Sequence, residues 1–477
     1  MLRLYNTLSR RVEIFRPIKE KHVGLYSCGP TVYNYVHLGN LRAYIFTDLL
    51  KRYLHYRGFK VKHVMNITDV DDKTIRDSQK NNQSLKEFTD FYLKAFLGDL
   101  KLMNIKKPDI MPRATKHIEE MVALIKEIKS KGYAYSVNDS VYYKISRFKS
   151  YGKLAHLDKR FLKRNIEGRL NLRDEYDKEQ VNDFVLWKTW QREDGDVFWD
   201  SQIGRGRPGW HIECSAMAMK YLGESFDIHC GGVDLIFPHH TNEIAQSEAV
   251  TGKRFVKYWL HNAHLLIEGQ RMAKSLGNFY TLRDIQRKGF NPLLLRIILV
   301  KNRYRQTLNF SFKDFEEAKT IADKFINFLL NVEFINRKKA LAGIEKEIER
   351  DIENCRKKFV KYLDDDLNVS PAMAAVYNFI SEINKKMDLL GVKQRKKIKK
   401  FILEIDDVLG FVLPLYNEYS VKLESKIKNS WLKRSLQKRE KARNEKDYAK
   451  ADKLRRQILN FGLIIEDTKN GYVLKIK

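Results

Sequence analysis

No run of about eighteen apolar residues occurs in the 477-residue sequence, which excludes a conventional membrane-spanning helix. The N-terminus is basic but lacks the apolar core of a secretory signal. Cysteine is scarce. Four are present, far apart and without a Cys-x-x-Cys pair, so no disulfide framework is expected and a reducing cytosol is the natural compartment. Acidic charge is also short: 60 Asp plus Glu against 90 Lys plus Arg leaves a formal net charge of +30. An excess of that size fits a polyanionic partner, nucleic acid first. A lysine-rich bias coating every surface is the alternative, and lysine thickens toward the C-terminus. The length allows two to four domains with a full-sized main core.

What is present is clearest between Val23 and Leu54. Val23 to Cys28 reads as a short strand, broken at Gly29-Pro30. An amphipathic helix follows, with apolar residues at Leu41, Ile45, Leu49, Leu50 and Leu54. Cys28, Thr31, His37, Gly39 and Asn40 lie between strand and helix. Such a loop is suited to an anion, because free N–H groups and the helix dipole both favour negative charge. A tight turn with a polar cap fits the same spacing. A second buried strand is expected over 60–67, ending at Thr68. Strand, helix and strand make a βαβ unit and hence a parallel sheet with a right-handed crossover. Ligands bind beyond the carboxyl ends of such strands, so Cys28 and Thr68 are expected at one edge. Asp71 and Asp72 read as a solvated turn.

Farther along, 85–131 is helical with a break at Pro108 and Pro112, and 132–146 reads as a hairpin turning at Asn138-Asp139. The segment 147–182 is charge-rich and loop-like, and Asp183 to Lys188 resumes a packed element. A small-residue helix follows Trp210, and 226–230 is another strand. Gly231 to Asp234 form the turn leaving it, and Pro238 suits the first turn of the next helix. His239 and Glu243 are four apart and share a face; such a pair can bind metal, cap or simply hydrogen-bond. Cys28 and Cys214, each taken singly, fit buried apolar positions as well as ligand positions.

Cys28 to Tyr33 followed by His37-Leu38-Gly39-Asn40 resembles the first signature of class I aminoacyl-tRNA synthetases, in the form found in cysteinyl-tRNA synthetases. Asn66 to Lys73 matches a further block of that family, and the likeness runs over most of the chain. Arg271-Met272-Ala273-Lys274-Ser275 resembles the second class I signature, with Arg271 and Ala273 in place of the usual lysine and serine. The resemblance implies one zinc per chain, held by Cys28, Cys214, His239 and Glu243, with His240 only a neighbour. It implies His37, Asn40 and Lys274 as catalytic residues. Gly39, Gly231, Gly232, Asp234, Arg271, Met272, Lys274 and Ser275 would bind ATP, which brings Mg²⁺. Gly29, Thr31, Thr68 and Trp210 would bind the amino acid. A zinc-bound thiol separates cysteine from serine without an editing domain, for which the chain has no obvious room.

The implied fold is α/β: a Rossmann-type parallel-sheet catalytic domain with an insertion, a helical bundle and a small C-terminal α+β anticodon-binding domain. The expected divisions are 1–112 and 203–262 for the catalytic halves, 113–202 for the insertion and 263–314 for the junction with the second signature. The bundle takes 315–413, where Asp364 to Asn368 read as a cap and helix start. The tail takes 414–477, where the basic block 432–462 matches the family's Ala-Arg-x-x-Lys-Asp-x-x-x-Ala-Asp pattern from Ala442. The implied activity is ATP-dependent joining of L-cysteine to tRNA(Cys) by a cytoplasmic monomer. Two alternatives remain: a cysteine:amino-sugar ligase with the same core, as in mycothiol synthesis, and a non-catalytic RNA-binding paralogue. The basic segment after 414 argues against the first. Asn40, Arg271, Ala273 and Cys230 depart from the most common pattern, which keeps the second in view.

Overall fold

The computed structural model describes residues 1–157, 183–273, 276–334, 340–468 and 471–476. The chain opens with a hairpin, β1 (Arg3–Asn6) antiparallel to β2 (Arg11–Ile14), which no periodicity in the sequence announces. The βαβ unit follows as β3 (His22–Ser27), α1 (Leu38–Tyr56) and β4 (Lys60–Met65). Leu41, Ile45, Leu49, Leu50 and Leu54 are all buried, as their spacing predicts. The helix is not amphipathic, however, because its polar side is buried too. Asp48, Lys51 and Arg52 lie inside with partners, Arg52 Nε on Asp48 at 2.7 Å and Lys51 on Asp109 at 3.1 Å. Burying such charges is tolerable only when they are paired.

Asp71 is not solvated. It is the buried N-cap of α2 (Asp72–Lys80), accepting from Thr74 N at 2.7 Å, the role that suits Asp at an N-cap. Asp72 pairs with Lys188 at 2.6 Å and with Arg207. After α3 (Leu85–Leu102) and α4 (Ile118–Ser130) comes the predicted hairpin, β5 (Ala134–Val137) and β6 (Ser140–Tyr143). Asn138 and Asp139 both take positive φ, 49° and 60°, the conformation a two-residue hairpin turn requires. With β7 (Phe184–Thr189), β8 (Trp199–Ser201) and β9 (Gly204–Pro208) they form an antiparallel sheet in the order β5–β6–β7–β9–β8. Most of the charge-rich segment 147–182 lies outside the described residues.

The second half of the parallel sheet comprises α5 (Trp210–Leu222), β10 (Phe226–Gly232), α6 (Thr241–Thr251) and β11 (Val256–Asn262). The four strands run parallel in the order β11–β10–β3–β4. A smaller sheet of β12 (Leu265–Ile267), β13 (Gln270–Arg271) and β14 (Leu308–Phe310) follows the last of them. α7 (Leu282–Arg287) and α8 (Pro292–Val300) lie between its last two strands in sequence.

These elements to Pro292, with Asn302–Ser311 and Asp364–Leu367, form one compact unit; Leu293–Lys301, Phe312–Leu363 and Asn368–Lys477 form another. The acidic run Asp364–Asp366 is therefore not a solvated helix cap. Asp364 accepts from Tyr53 OH at 2.7 Å, and Asp366 accepts from Tyr304 OH at 2.7 Å and Arg305 at 2.6 Å.

In the second unit α9 (Asp314–Phe334), α10 (Ile344–Leu363), α11 (Val369–Lys385), α12 (Val392–Leu409) and α13 (Val412–Ile427) form a bundle. Asn368 occupies the N-cap position of α11 but makes no side-chain cap bond. Pro414, where the composition shifts, falls inside the first turn of α13, a position proline tolerates. That helix buries Val412, Leu415, Tyr416 and Leu423. Its start is capped by Asp406, which accepts from the N–H groups of Phe411, Val412 and Leu413. The basic block is a helical pair, α14 (Ser430–Asn444) and α15 (Tyr448–Asn460), followed by the hairpin of β15 (Leu463–Thr468) and β16 (Gly471–Ile476).

Candidate active site and metal centre

The carboxyl ends of β3 and β4 are stitched together just where the sequence departs from strand. Gly29 N donates to Asn66 Oδ1 at 2.9 Å, and Thr68 N donates to Pro30 O at 3.1 Å. Glycine is required at 29, since a Cβ there would lie 1.7 Å from Asn66 O. Cys28 and Thr68 thus share one edge, as the βαβ argument expects. Thr68 Oγ1 donates to the buried carboxylate of Glu213 at 2.8 Å. Asp69 is buried away from this edge, held by Arg113 at 2.6 Å and Thr115 at 2.7 Å.

A cavity of about 450 Å³ opens at this edge. Gly29, Thr31, His37, Gly39, Asn40, Thr68, Trp210, Gly231, Gly232, Asp234, Arg271 and Met272 all border it, together with Cys28, Cys214 and His239. Lys274 and Ser275, the other proposed phosphate contacts, lie outside the described residues. Tyr33, Tyr35 and Lys73, to which the sequence analysis assigns no role, also border it; Lys73 sits 5.2 Å over the Tyr33 ring.

His37 is the N-cap of α1. Its Nδ1 accepts from Gly39 N at 3.1 Å and Asn40 N at 3.3 Å, while Asn40 Oδ1 accepts from His37 N at 3.2 Å. Burial holds the imidazole pKa down to about 4. The ring is neutral, and with Nδ1 accepting its proton sits on Nε2. A Cβ at Gly39 would crowd the His37 ring, 2.9 Å from its Cε1, while Met272 Cε of the second signature stands at an ordinary contact distance of 3.7 Å. Asn278 closes that loop, accepting from Ala273 N at 2.8 Å and donating to Arg271 O at 3.0 Å.

Two overlapping donor sets converge: Cys28, Cys214, His239 and Glu243, and Cys28, His229, His240 and Glu243, each with ligating atoms within 4.8 Å of one another. Only in the first do Cys28, Cys214 and His239 all border the cavity. His229 and His240 lie behind it. His240 Nδ1 is 2.8 Å from His261 Nε2, and its ring fills the space beside Gly231, where a Cβ would come within 2.7 Å of Cε1. His229 Nε2 bonds Glu243 Oε2 at 2.9 Å, and His211 Nδ1 lies 2.8 Å from His239 Nδ1. These outer contacts turn one carboxylate oxygen and one imidazole nitrogen toward the donor set. Trp210 lies 4.5 Å from the His239 ring.

The donor set fits a cation, which would be needed to draw thiolates from this pocket: burial raises the thiol pKa of Cys28 and pushes that of Cys214 well above the ordinary range. Burial pushes the Glu243 carboxyl up, but the imidazoles of His229 and His239 outweigh it and hold its pKa at about 2. Glu243 Oε1 stands 3.1 Å from His239 Nε2 without the alignment of a hydrogen bond. Two thiols, an imidazole and an under-satisfied carboxylate oxygen are a donor set of the zinc type. His239 belongs not to a regular α-helix but to a wider turn, Ile236–His240, that precedes α6. Pro238 therefore lies before the α-helix rather than in its first turn. Cys230, one of the departures from the family pattern, is fully buried, with Thr47 of α1 against its thiol.

Residues 14–320 match the family described as the class I (C) tRNA synthetase catalytic domain, and residues 358–413 match the DALR domain. The parallel sheet and its cavity are thus those of a class I tRNA synthetase. Methionyl-tRNA synthetase of Mycobacterium tuberculosis, in complex with methionyl-adenylate, has the same fold. It matches with a TM-score of 0.60 at 14% identity, over 84% of this chain and 92% of its own. A cysteine–tRNA ligase of Brachyspira hyodysenteriae is 45% identical over 473 residues, 99% of each chain. One from Protochlamydia amoebophila is 43% identical over 478 residues, 99% of this chain and 98% of its own. This chain belongs to the cysteine–tRNA ligase family.

Proposed function

We propose that the protein activates L-cysteine with ATP as cysteinyl-adenylate and transfers it to tRNA(Cys), as a cytoplasmic monomer. The observation that carries this reading is the meeting of a two-thiol donor set with both phosphate-binding signatures around one cavity. Among the described residues no helix is long and apolar enough to cross a membrane, and all four cysteines are free.

A carboxylate oxygen of cysteine attacks the α-phosphorus of ATP, the bond to the β-phosphate oxygen breaks, and pyrophosphate leaves with its Mg²⁺. No protein nucleophile is needed. His37 Nε2–H and Asn40 Nδ2 donate to phosphate oxygens as charge develops, with Arg271 and Lys274 adding positive charge. Gly231, Gly232 and Asp234 border the adenosine, while Gly29, Thr31 and Thr68 receive the amino acid. Trp210 covers His239 and limits water. Held by Cys28, Cys214, His239 and Glu243, zinc would supply a soft Lewis acid that takes a thiol as thiolate and a hydroxyl poorly. The terminal ribose 2′-hydroxyl of tRNA then attacks the adenylate carbonyl carbon and AMP leaves. The bundle and the basic tail position the tRNA.

Cysteine-dependent ATP–pyrophosphate exchange, followed by charging of total tRNA with labelled cysteine, tests this. Exchange without charging would favour the amino-sugar ligase. Absence of both would favour the RNA-binding paralogue. Metal analysis of chelator-washed protein should find one zinc per chain. His239→Asn should lose it, whereas His240→Asn should keep it.

A further inference from the structure

The chain beyond the second signature returns to the first. Leu38 N donates to Tyr280 O at 3.0 Å, His37 and Thr281 form an antiparallel bridge, and Phe279 meets the His37 ring edge-on at 5.1 Å. Just past these contacts Arg283, on α7, lays its guanidinium over Tyr35, with Cζ 3.8 Å from the ring centroid. The same side chain reaches α3, where Nη1 donates to Asp99 Oδ1 at 3.1 Å and Oδ2 at 3.0 Å.

Asp99 is 2% exposed. Burial pushes its carboxyl pKa up, and Arg283 opposes that. Tyr35 is held on its other sides by Phe91 and Tyr92 of α3, at centroid distances of 6.2 and 5.3 Å. It also borders the cavity. One guanidinium therefore ties together α7, α3 and the loop that runs from Cys28 to the cap of α1. Arginine suits the position because a planar cation can stack on a ring and pair with a carboxylate at once. A lysine can keep the pair but not the stack.

We propose that Arg283 is a positioning residue for the ATP-using step. By pinning Tyr35 it fixes the stretch that ends in His37 relative to α7, and so to the chain that follows Arg271 and Met272. Both phosphate-binding elements are then in register before ATP arrives. The inference rests on the reading of the cavity as an ATP site. The thiol end of the cavity has its own supports: Cys28 N donates to Cys230 O at 3.4 Å, Gly29 N to Asn66 Oδ1 at 2.9 Å, Thr31 bridges to Thr68, and Cys214, His239 and Glu243 lie on α5, on the turn before α6 and on α6 itself.

The test is pyrophosphate exchange by the full chain with ATP and cysteine varied separately, beside thermal unfolding. Arg283→Lys keeps a charge opposite Asp99 and loses the stack. It should raise the KM for ATP about tenfold, the scale of one partly desolvated cation–π contact. The KM for cysteine should stay within about twofold and the melting temperature near wild type. Arg283→Met combined with Asp99→Asn leaves no buried unpaired charge and should show the same rise. A KM for ATP unchanged in Arg283→Lys, or restored in the double variant, overturns the inference while leaving the activity intact. A lowered melting temperature with kcat reduced and both KM values unchanged would make Arg283 merely structural, and also overturns it. If the wild type shows no cysteine-dependent exchange, the reading of the cavity fails and this inference fails with it.

Discussion

His37 and Asn40 cap each other. His37 Nδ1 accepts from the Asn40 N–H at 3.3 Å, and Asn40 Oδ1 accepts from the His37 N–H at 3.2 Å. The reciprocal bond uses the acceptor of each side chain and leaves its donor free, Nε2–H on one and Nδ2 on the other. Asn40→Asp keeps the capping acceptor but turns an anion toward the phosphates. It should cost on the order of 10²–10³ in kcat for pyrophosphate exchange, the scale of a lost transition-state donor. Its stability to denaturant should stay near wild type. Asn40→Ala should lose comparable activity and also about 1 kcal/mol of stability with the cap.

Gly231 has no room for a side chain. A Cβ there would meet His240 Cε1 at 2.7 Å and Leu235 Cδ1 at 2.9 Å. Both neighbours are packed, so Gly231→Ala should destabilise the protein by about 1–3 kcal/mol, read from urea unfolding. If the metal rests on His239, zinc content should survive in the folded fraction, because His240 is what the new methyl displaces.

His63 is a fully interior imidazole, with Nε2 2.9 Å from Ser27 Oγ. Burial, with Lys51 adding to it, holds its pKa down to about 3. In the unfolded chain it titrates near about 6.5. Its contribution to stability is therefore complete above that pH. It is lost as pH falls from about 6.5 toward 3, where the unfolded chain takes up a proton that the folded chain refuses. His63→Gln should flatten the acid side of the stability–pH curve by up to about 1.4 kcal/mol per pH unit. An unchanged slope from equilibrium unfolding at a series of pH values would mean that His63 is protonated in the folded protein.

The place to cut the tail is not where the composition changes. A chain ending at Leu413 would lose most of α13, including the buried Leu415, Tyr416 and Leu423. It should unfold at lower temperature than one ending at Lys428, between α13 and α14. The longer truncation should keep pyrophosphate exchange and lose most tRNA charging. Residual tRNA affinity should fall less steeply with salt, because fewer phosphates are neutralised. Charging as efficient as that of the full chain would show that the tail is not the tRNA reader.

The sequence by itself determined what depends on near neighbours in the chain. The β3–α1–β4 unit follows from apolar spacing, and the turn at Asn138-Asp139 follows from residues that tolerate positive φ. The zinc-type donor set and the two signatures were visible through the family resemblance, not through spacing, which left His239 and Glu243 open to several roles. The resemblance alone named His239 rather than His240 as the ligand; the structure shows how differently the two are placed, although His240 Nε2 also comes within 3.3 Å of Cys28 Sγ. The two histidines are adjacent in sequence, and one borders the cavity while the other packs against Gly231. Only the tertiary structure enlisted His211 and His229, whose partners stand 28 and 14 residues away, and Arg283, whose carboxylate is 184 residues distant. Asp364 to Asp366 show the same limit. An acidic run before a helix has the local form of a cap, yet these carboxylates are paired with residues far away in the chain, Asp365 with Arg3 across 362 positions. Local pattern fixes backbone geometry because it acts within a few residues. Which polar side chain is buried, and against what, is decided by desolvation and packing among segments that meet only when the chain has folded.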